Sequence, residues 1–176
     1  MEITRHIPEI NEIKDEELKA RVARVFEKAM DLGKWSYDDL YRMPFTLLIE
    51  GCPMNMIEHI RGVTNVCIQS YGVFEKIYGE RNPLNRDILI ASALLHDIGK
   101  LVEYEVDNNG KFYSSHLGKL LRHPFSGVGL CYEFGLDPKI LNAIAYHSKE
   151  GNVNKRCPEG VVVFHADFMN FEPFHN

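Results

Sequence analysis

Apolar residues recur at three- and four-residue spacing along almost the whole chain, and that period restricts it to helices packed on helices. Leu18, Val22, Val25, Phe26 and Ala29 form one stripe between Asp15 and Leu32, with Gly33 as the expected stop. Ser36 is placed to cap a short helix that ends before Pro44. A long helix is expected from about Met54 to Tyr78, with Gly79 just beyond it. Asn85 then reads as the N-cap of a helix carrying Ile88, Leu89, Ala93 and Leu94 and ending at Gly99.

The period breaks once. Val102 to Val106 and Lys111 to Tyr113 flank Asp107-Asn108-Asn109-Gly110, a strand–turn–strand pattern that predicts a small β-hairpin. Helices are expected again over Leu117–Arg122, Pro124–Phe134, Pro138–Ser148 and Pro158 to about Asn170. Three of them start on proline, whose missing N–H is harmless in a first turn. No repeat or long linker divides the chain. The expected architecture is a single all-α bundle over residues 1–176 with a hairpin inserted after His96-Asp97.

Composition narrows the function. Of 176 residues, 45% are hydrophobic and 26% charged, ordinary globular values that allow a substantial core. The net charge of -5 disfavours a polymeric nucleic acid as substrate, since capture of a polyanion needs a basic face. Cys52, Cys67, Cys131 and Cys157 show no CxxC pairing, so no zinc knuckle or dithiol motif is present. No leader-like stretch opens the sequence, and no apolar run approaches the roughly 20 residues a membrane span requires. The cytoplasm is the expected compartment, and a homo-oligomer is compatible with the sequence.

Chemistry concentrates in Leu94-Leu95-His96-Asp97-Ile98-Gly99-Lys100. Adjacent helical residues diverge by about 100°, so His96 and Asp97 can converge on one ion only from a helix end. An imidazole beside a carboxylate is a mixed N/O pair suited to divalent Zn, Fe or Mn. Other donors fall on inward faces. His59 shares a stripe with Met56, Val63 and Cys67, and His147 shares one with Ile140, Ala143 and Ile144. Asp167 follows Val163 and Phe164, where an unpaired carboxylate would be costly, and His123 directly precedes Pro124. One histidine on an apolar face is usually a hydrogen-bonded core residue. Four of them with two carboxylates are a different case. His6 and His175 near the termini, His116 in an expected loop and His165, pointing away from Asp167, are left with the ordinary reading.

With His59, the His-Asp pair inside Leu-Leu-His-Asp-Ile-Gly-Lys and Asp167 in His-Ala-Asp-Phe-Met, the sequence resembles the HD superfamily of metal-dependent phosphohydrolases. The resemblance runs from roughly Pro53 to Phe171, which leaves residues 1–52 as an N-terminal helical extension. It implies one metal held by His59, His96, Asp97 and Asp167. Family members with two metals add two histidines in the interval that His123 and His147 occupy, with Asp97 as the bridge. Some carry a further histidine where this chain has Ser148, which leaves the second position poorer in protein ligands. The implied cofactor is one or two divalent transition-metal ions. The implied reaction is hydrolysis of a phosphomonoester or phosphodiester in a small, nucleotide-like phosphorylated substrate by metal-activated water.

Lys100, just past the expected helix end, is placed to meet a phosphate as a point charge, or else to be solvated under the helix dipole. Arg122 and Lys149, each next to a candidate ligand, are weaker substrate-binding candidates. The hairpin and the stretch Gly110 to His123 also resemble HD-type 3′-to-5′ exoribonucleases, through Gly118-Lys119-Leu120-Leu121-Arg122-His123, though no nucleic-acid-binding module accompanies them. Two other functions share the same residues. The ligand pattern resembles that of mixed-valence diiron oxygenases of the same fold group, acting on a small anionic substrate. A signalling HD-like domain that has lost its metal is the third, and the intact ligand set argues against it.

Overall fold

The computed structural model describes residues 2–175. The N-terminal segment folds as α1 (Ile3–His6) and a 3-10 turn (Pro8–Glu12). The spacing of Ile3, Ile7, Ile10 and Ile13 turns all four into the core, where each is fully buried. Each such burial contributes about 1.5–3 kcal/mol. They join one hydrophobic cluster with Ile57, Ile90, Leu94 and Ile140, so the segment expected as an extension shares the core of the helices that follow.

Helix α2 (Glu16–Gly33) starts on Asp15, whose carboxylate accepts from the Glu17 and Leu18 amides. It ends one residue later than expected, because Lys34 and not Gly33 takes the left-handed conformation (φ 59°). Gly33 answers a different need. A Cβ there would lie 2.1 Å from the Leu101 carbonyl oxygen and 2.2 Å from Trp35 Nε1. Helix α3 (Tyr37–Arg42) has a Ser36–Asp39 capping box, and α4 (Met56–Tyr78) an Asn55–Glu58 one. Between them the chain doubles back, with Pro44 bridging Asn55 and the Phe45 amide donating to the Met54 carbonyl at 3.3 Å.

Helix α5 (Arg86–Leu95) is capped by Asn85 and is the central rod: every residue from Leu89 to Leu95 is buried. It packs on α2 and α4, and on α9 (Pro138–Tyr146) and α10 (Pro158–Met169). The expected end at Gly99 is corrected. The helix stops at Leu95, residues 96–99 form turns, and a one-turn helix α6 (Lys100–Glu103) follows. Gly99 has ordinary helical φ (-64°) and is no left-handed stop.

The hairpin forms as β1 (Tyr104–Val106) and β2 (Phe112–Ser114), antiparallel with Glu105 opposite Tyr113. Val102 and Glu103, expected in its first strand, belong to α6. Asp107 accepts from the Asn109 and Lys111 amides, and Gly110 takes φ 80°, which closes the turn. His116, expected in a loop, opens α7 (His116–Leu120), which Ser115 caps. Helix α8 (His123–Glu133) begins at His123 itself. The all-α bundle with one small hairpin after the His-Asp pair is therefore borne out. Among the described residues no helix is long and apolar enough to cross a membrane.

Candidate metal centre

Helix ends build most of the site. His96 is the residue immediately after α5, Asp97 lies in the following turn, His123 opens α8, and His147 directly follows α9. His59 in α4 and Asp167 in α10 come from helix interiors. At a helix end the backbone no longer forces adjacent side chains apart, so His96 and Asp97 both face inward.

The six side chains meet in two sets. His59 Nε2 lies 3.2 Å from His96 Nε2 and 3.1 Å from Asp167 Oδ1. His123 Nε2 lies 3.2 Å from His147 Nε2. Asp97 stands between them. Its Oδ2 is 3.4 Å from both His59 and His96 Nε2, while its Oδ1 is 3.3 Å from His123 Nε2 and 3.5 Å from His147 Nε2.

The outer hydrogen bonds decide what these rings can do. His96 Nδ1 lies 2.7 Å from the Ala93 carbonyl oxygen, and His147 Nδ1 2.7 Å from the Ile144 carbonyl oxygen. A carbonyl only accepts, so in the neutral ring each Nδ1 carries the proton and each Nε2 presents a lone pair. Glu103 Oε2 does the same for His123, accepting from its backbone amide at 2.8 Å and lying 3.0 Å from its Nδ1. His123 Nε2, His147 Nε2 and Asp97 Oδ1 are thus three lone pairs turned on one point with no proton to share. Such an arrangement is repulsive without a cation. An ion about 2.0–2.2 Å from each donor spaces neighbouring donors about 3.0–3.5 Å apart, which the separations above show, while His96 Nε2 and Asp167 Oδ1 stand wider at 3.8 Å. The residues present fit a metal pair.

The two carboxylates and His123 are held in the forms that bind a metal. Burial alone would raise the Asp97 carboxyl, but Lys100 and the neighbouring histidines overcome it and hold it well below the usual carboxylate range. Asp167 is lowered against its own burial, chiefly by His59 and His96. Burial pushes His123 down to about 4, although Glu103 and Asp97 pull the other way. Burial likewise opposes charge on His59, yet Asp167 and Asp97 raise it overall. Its Nδ1 is buried without a hydrogen-bond partner among the described residues, and the Phe45 ring stacks on it at 4.3 Å.

Of the cations suggested by the sequence, Lys100 lies inside the centre and Arg122 and Lys149 lie at the surface. Lys100 is buried, and its ammonium donates to Asp97 Oδ2 at 2.6 Å and to the Phe45 carbonyl at 2.7 Å. Arg122 is exposed, with Nε 3.8 Å from Glu150 Oε1, and Lys149 is exposed at the start of a 3-10 turn. A surface hollow of about 640 Å³, lined by Lys14, Tyr71, Glu75 and Asp87 among others, includes none of the six donors.

Glu103 and Phe45 escaped the sequence reading. Glu103 alternates with Tyr104 and Glu105 like a strand residue, and nothing in its spacing ties it to His123. Carboxylates that hold a metal-bound imidazole typically govern metal affinity by 10–100-fold. Glu103→Gln is accordingly expected to weaken metal binding at the His123–His147 set by about that factor while the His59–His96 set keeps its affinity. Competition titration with a chromogenic chelator measures both steps, and unchanged affinities would show that Glu103 does not orient His123.

An HD domain profile matches residues 56–169, more than half of the sequence, and the chain belongs to the HD domain family. A dihydroneopterin 2′,3′-cyclic phosphate phosphodiesterase of Methanocaldococcus jannaschii is 30% identical over 113 residues, covering 64% of this chain and 44% of that protein. A ribonuclease Y of Petrotoga mobilis is 31% identical over 87 residues, and one of Desulforamulus reducens 34% over 89. Each of these matches covers 49% of this chain and 14% of the relative. The chain therefore spans less than half the length of these curated relatives. No solved structure gives a significant match.

Proposed function

We propose that the chain is a metal-dependent phosphohydrolase that cleaves a phosphomonoester or phosphodiester bond in a small, nucleotide-like molecule. The observation that carries this reading is Asp97, whose two oxygens each face a separate histidine set. His59, His96, Asp167 and Asp97 Oδ2 would hold one divalent ion; His123, His147 and Asp97 Oδ1 would hold the other. Paired cations at such positions supply a water of lowered pKa and neutralise charge on the phosphoryl oxygens.

The chain's own residues do the rest. The Ala93 and Ile144 carbonyls and Glu103 keep the imidazole lone pairs aimed inward. The Asp167 side is the most open: its carboxylate side chain is 15% exposed against 7% or less for the other five. We assign the approach of substrate to that side. Arg122 and Lys149, exposed next to the second set, are the candidates to meet its remaining negative charge. A cyclic-phosphate relative and two nucleases among the similar proteins support phosphodiester chemistry. The net charge of -5 favours a small ester over a polymer.

Metal analysis of anaerobically purified protein tests this reading, followed by turnover of nitrophenyl phosphate, bis-nitrophenyl phosphate and 2′,3′-cyclic nucleotides with Mn²⁺, Fe²⁺ and Zn²⁺. Hydrolysis of at least one ester, lost on chelation, is the expected result. Absence of hydrolysis with substrate-dependent O₂ uptake by the iron-loaded protein would overturn it in favour of an oxygenase.

A further inference from the structure

A carboxylate that serves two ions must hold one rotation about its Cβ–Cγ bond, and aspartate does not fix that rotation by itself. The torsion is broad and roughly two-fold. If the Asp97 carboxylate turned a quarter of a revolution, neither oxygen would face either set. Four imidazole nitrogens surround it, and none of those whose tautomer is set by an outer partner can donate to it. The His96, His123 and His147 rings spend their N–H groups outward.

Lys100 is the donor that fixes the carboxylate. It follows Asp97 by three residues across the turn between α5 and α6, and its ammonium donates to Oδ2 at 2.6 Å. That is the oxygen that lies 3.4 Å from His59 and His96. The same ammonium donates to the Phe45 carbonyl at 2.7 Å, and the Phe45 ring covers His59 at 4.3 Å. Pro44 and Asn55 tie the ends of the segment that carries Phe45. Lys100 therefore joins the bridging carboxylate to the wall over the first set. To reach a phosphate it would have to abandon a buried carboxylate and a buried carbonyl, each costly to leave unpaired.

We propose that Lys100 is a positioning residue of the metal centre, setting the rotation of the Asp97 carboxylate and tying Phe45 over His59, and not a contact to substrate. The proposal rests on the reading of the six side chains as a metal centre. Its consequences appear before any substrate is added. Lys100→Met keeps an unbranched chain and removes the donor; Lys100→Gln keeps a shorter, neutral donor.

Mn²⁺ titration followed by electron paramagnetic resonance, and the visible spectrum of Co²⁺-loaded protein, read metal affinity and ligand geometry directly. Lys100→Met is expected to weaken uptake at both sets by about 10–100-fold, the range of other residues that orient metal ligands. Its Co²⁺ spectrum is expected to change, and Lys100→Gln to fall between it and the unaltered chain. At saturating metal, kcat for a cleaved phosphoester is expected to fall with KM unchanged. Unaltered Mn²⁺ affinity and Co²⁺ spectrum with KM raised tenfold or more would overturn the proposal and make Lys100 a substrate contact. Should Lys100→Met fail to fold, the same two patterns in Lys100→Gln decide the matter. An unaltered chain that took up no metal would defeat the metal-centre reading along with the proposal. A metal-binding chain whose variants bind equally well would defeat the role of Lys100 alone.

Discussion

Asp97→Ala is expected to leave the chain without metal at either set and to lower turnover on the order of 10³-fold or more, which is about 4 kcal/mol of barrier. Among the described residues no other single side chain offers an oxygen to both histidine sets. The substitution also strands the buried Lys100 ammonium, which retains the Phe45 carbonyl but loses its counter-charge. Removing one partner of a buried ion pair costs about 3–5 kcal/mol. Asp97→Asn keeps the shape and one acceptor oxygen while removing the charge, and so separates what the loss of charge costs from what the loss of the side chain costs. His147→Ala is the contrasting case. It takes one nitrogen from the second set and is expected to deplete that position, with the His59–His96 set still loaded. Metal content by plasma mass spectrometry, read beside thermal melting with and without chelator, checks all three. Equal and full metal in Asp97→Ala, His147→Ala and the unaltered chain would sink the assignment.

Much of this centre was legible because helical periodicity says which face looks inward. His59 lies among Met56, Val63 and Cys67, and His147 among Ile140, Ala143 and Ile144, so their burial followed from spacing alone. The hairpin was legible from Asp107-Asn108-Asn109-Gly110, whose side chain and glycine close the turn locally. What escaped depends on contacts distant in sequence. The apolar stripe of α5 runs on through Ile98, and nothing local shows that the helix stops at Leu95. Helix α6 is one turn long, too short to display a period, so Glu103 passed for a strand residue. Lys100 follows the pattern of a lysine past a helix C-terminus, which is ordinarily solvated; Asp97 and Phe45 reverse that by offering two buried acceptors. Gly33 and Gly99 both read as helix stops. Neither is one, and each is required by another strand of chain that passes close by.

Gly99→Ala tests the second of those close approaches and is expected to damage both stability and the second histidine set. A Cβ at this position would lie 2.0 Å from the His123 carbonyl oxygen, 2.8 Å from its carbon and 2.7 Å from the Gly127 nitrogen. All three atoms are backbone, so no side chain can rotate away, and α6 and α8 must separate. The conformation of Gly99 itself (φ -64°, ψ -20°) suits alanine, which by intrinsic preference would gain about 0.5–1 kcal/mol over glycine in a helix. Any destabilisation therefore measures the contact and not the backbone. Overpacking of this kind costs about 1–3 kcal/mol. The displaced atoms belong to His123, whose Nε2 is 3.3 Å from Asp97 Oδ1 and whose backbone amide is held by Glu103 of α6. A shift of about 1 Å in a catalytic group can cost on the order of 10²-fold in rate, and that is the expected loss. Gly127→Ala is the milder control, since its Cβ would meet Ile144 Cγ2 at 3.0 Å and the Gly99 nitrogen at 3.4 Å. Urea midpoints and metal content of the two variants check the order. A Gly99→Ala chain as stable as the unaltered one, with both metal positions filled, would mean that the turn after the His-Asp pair is not held against the start of α8.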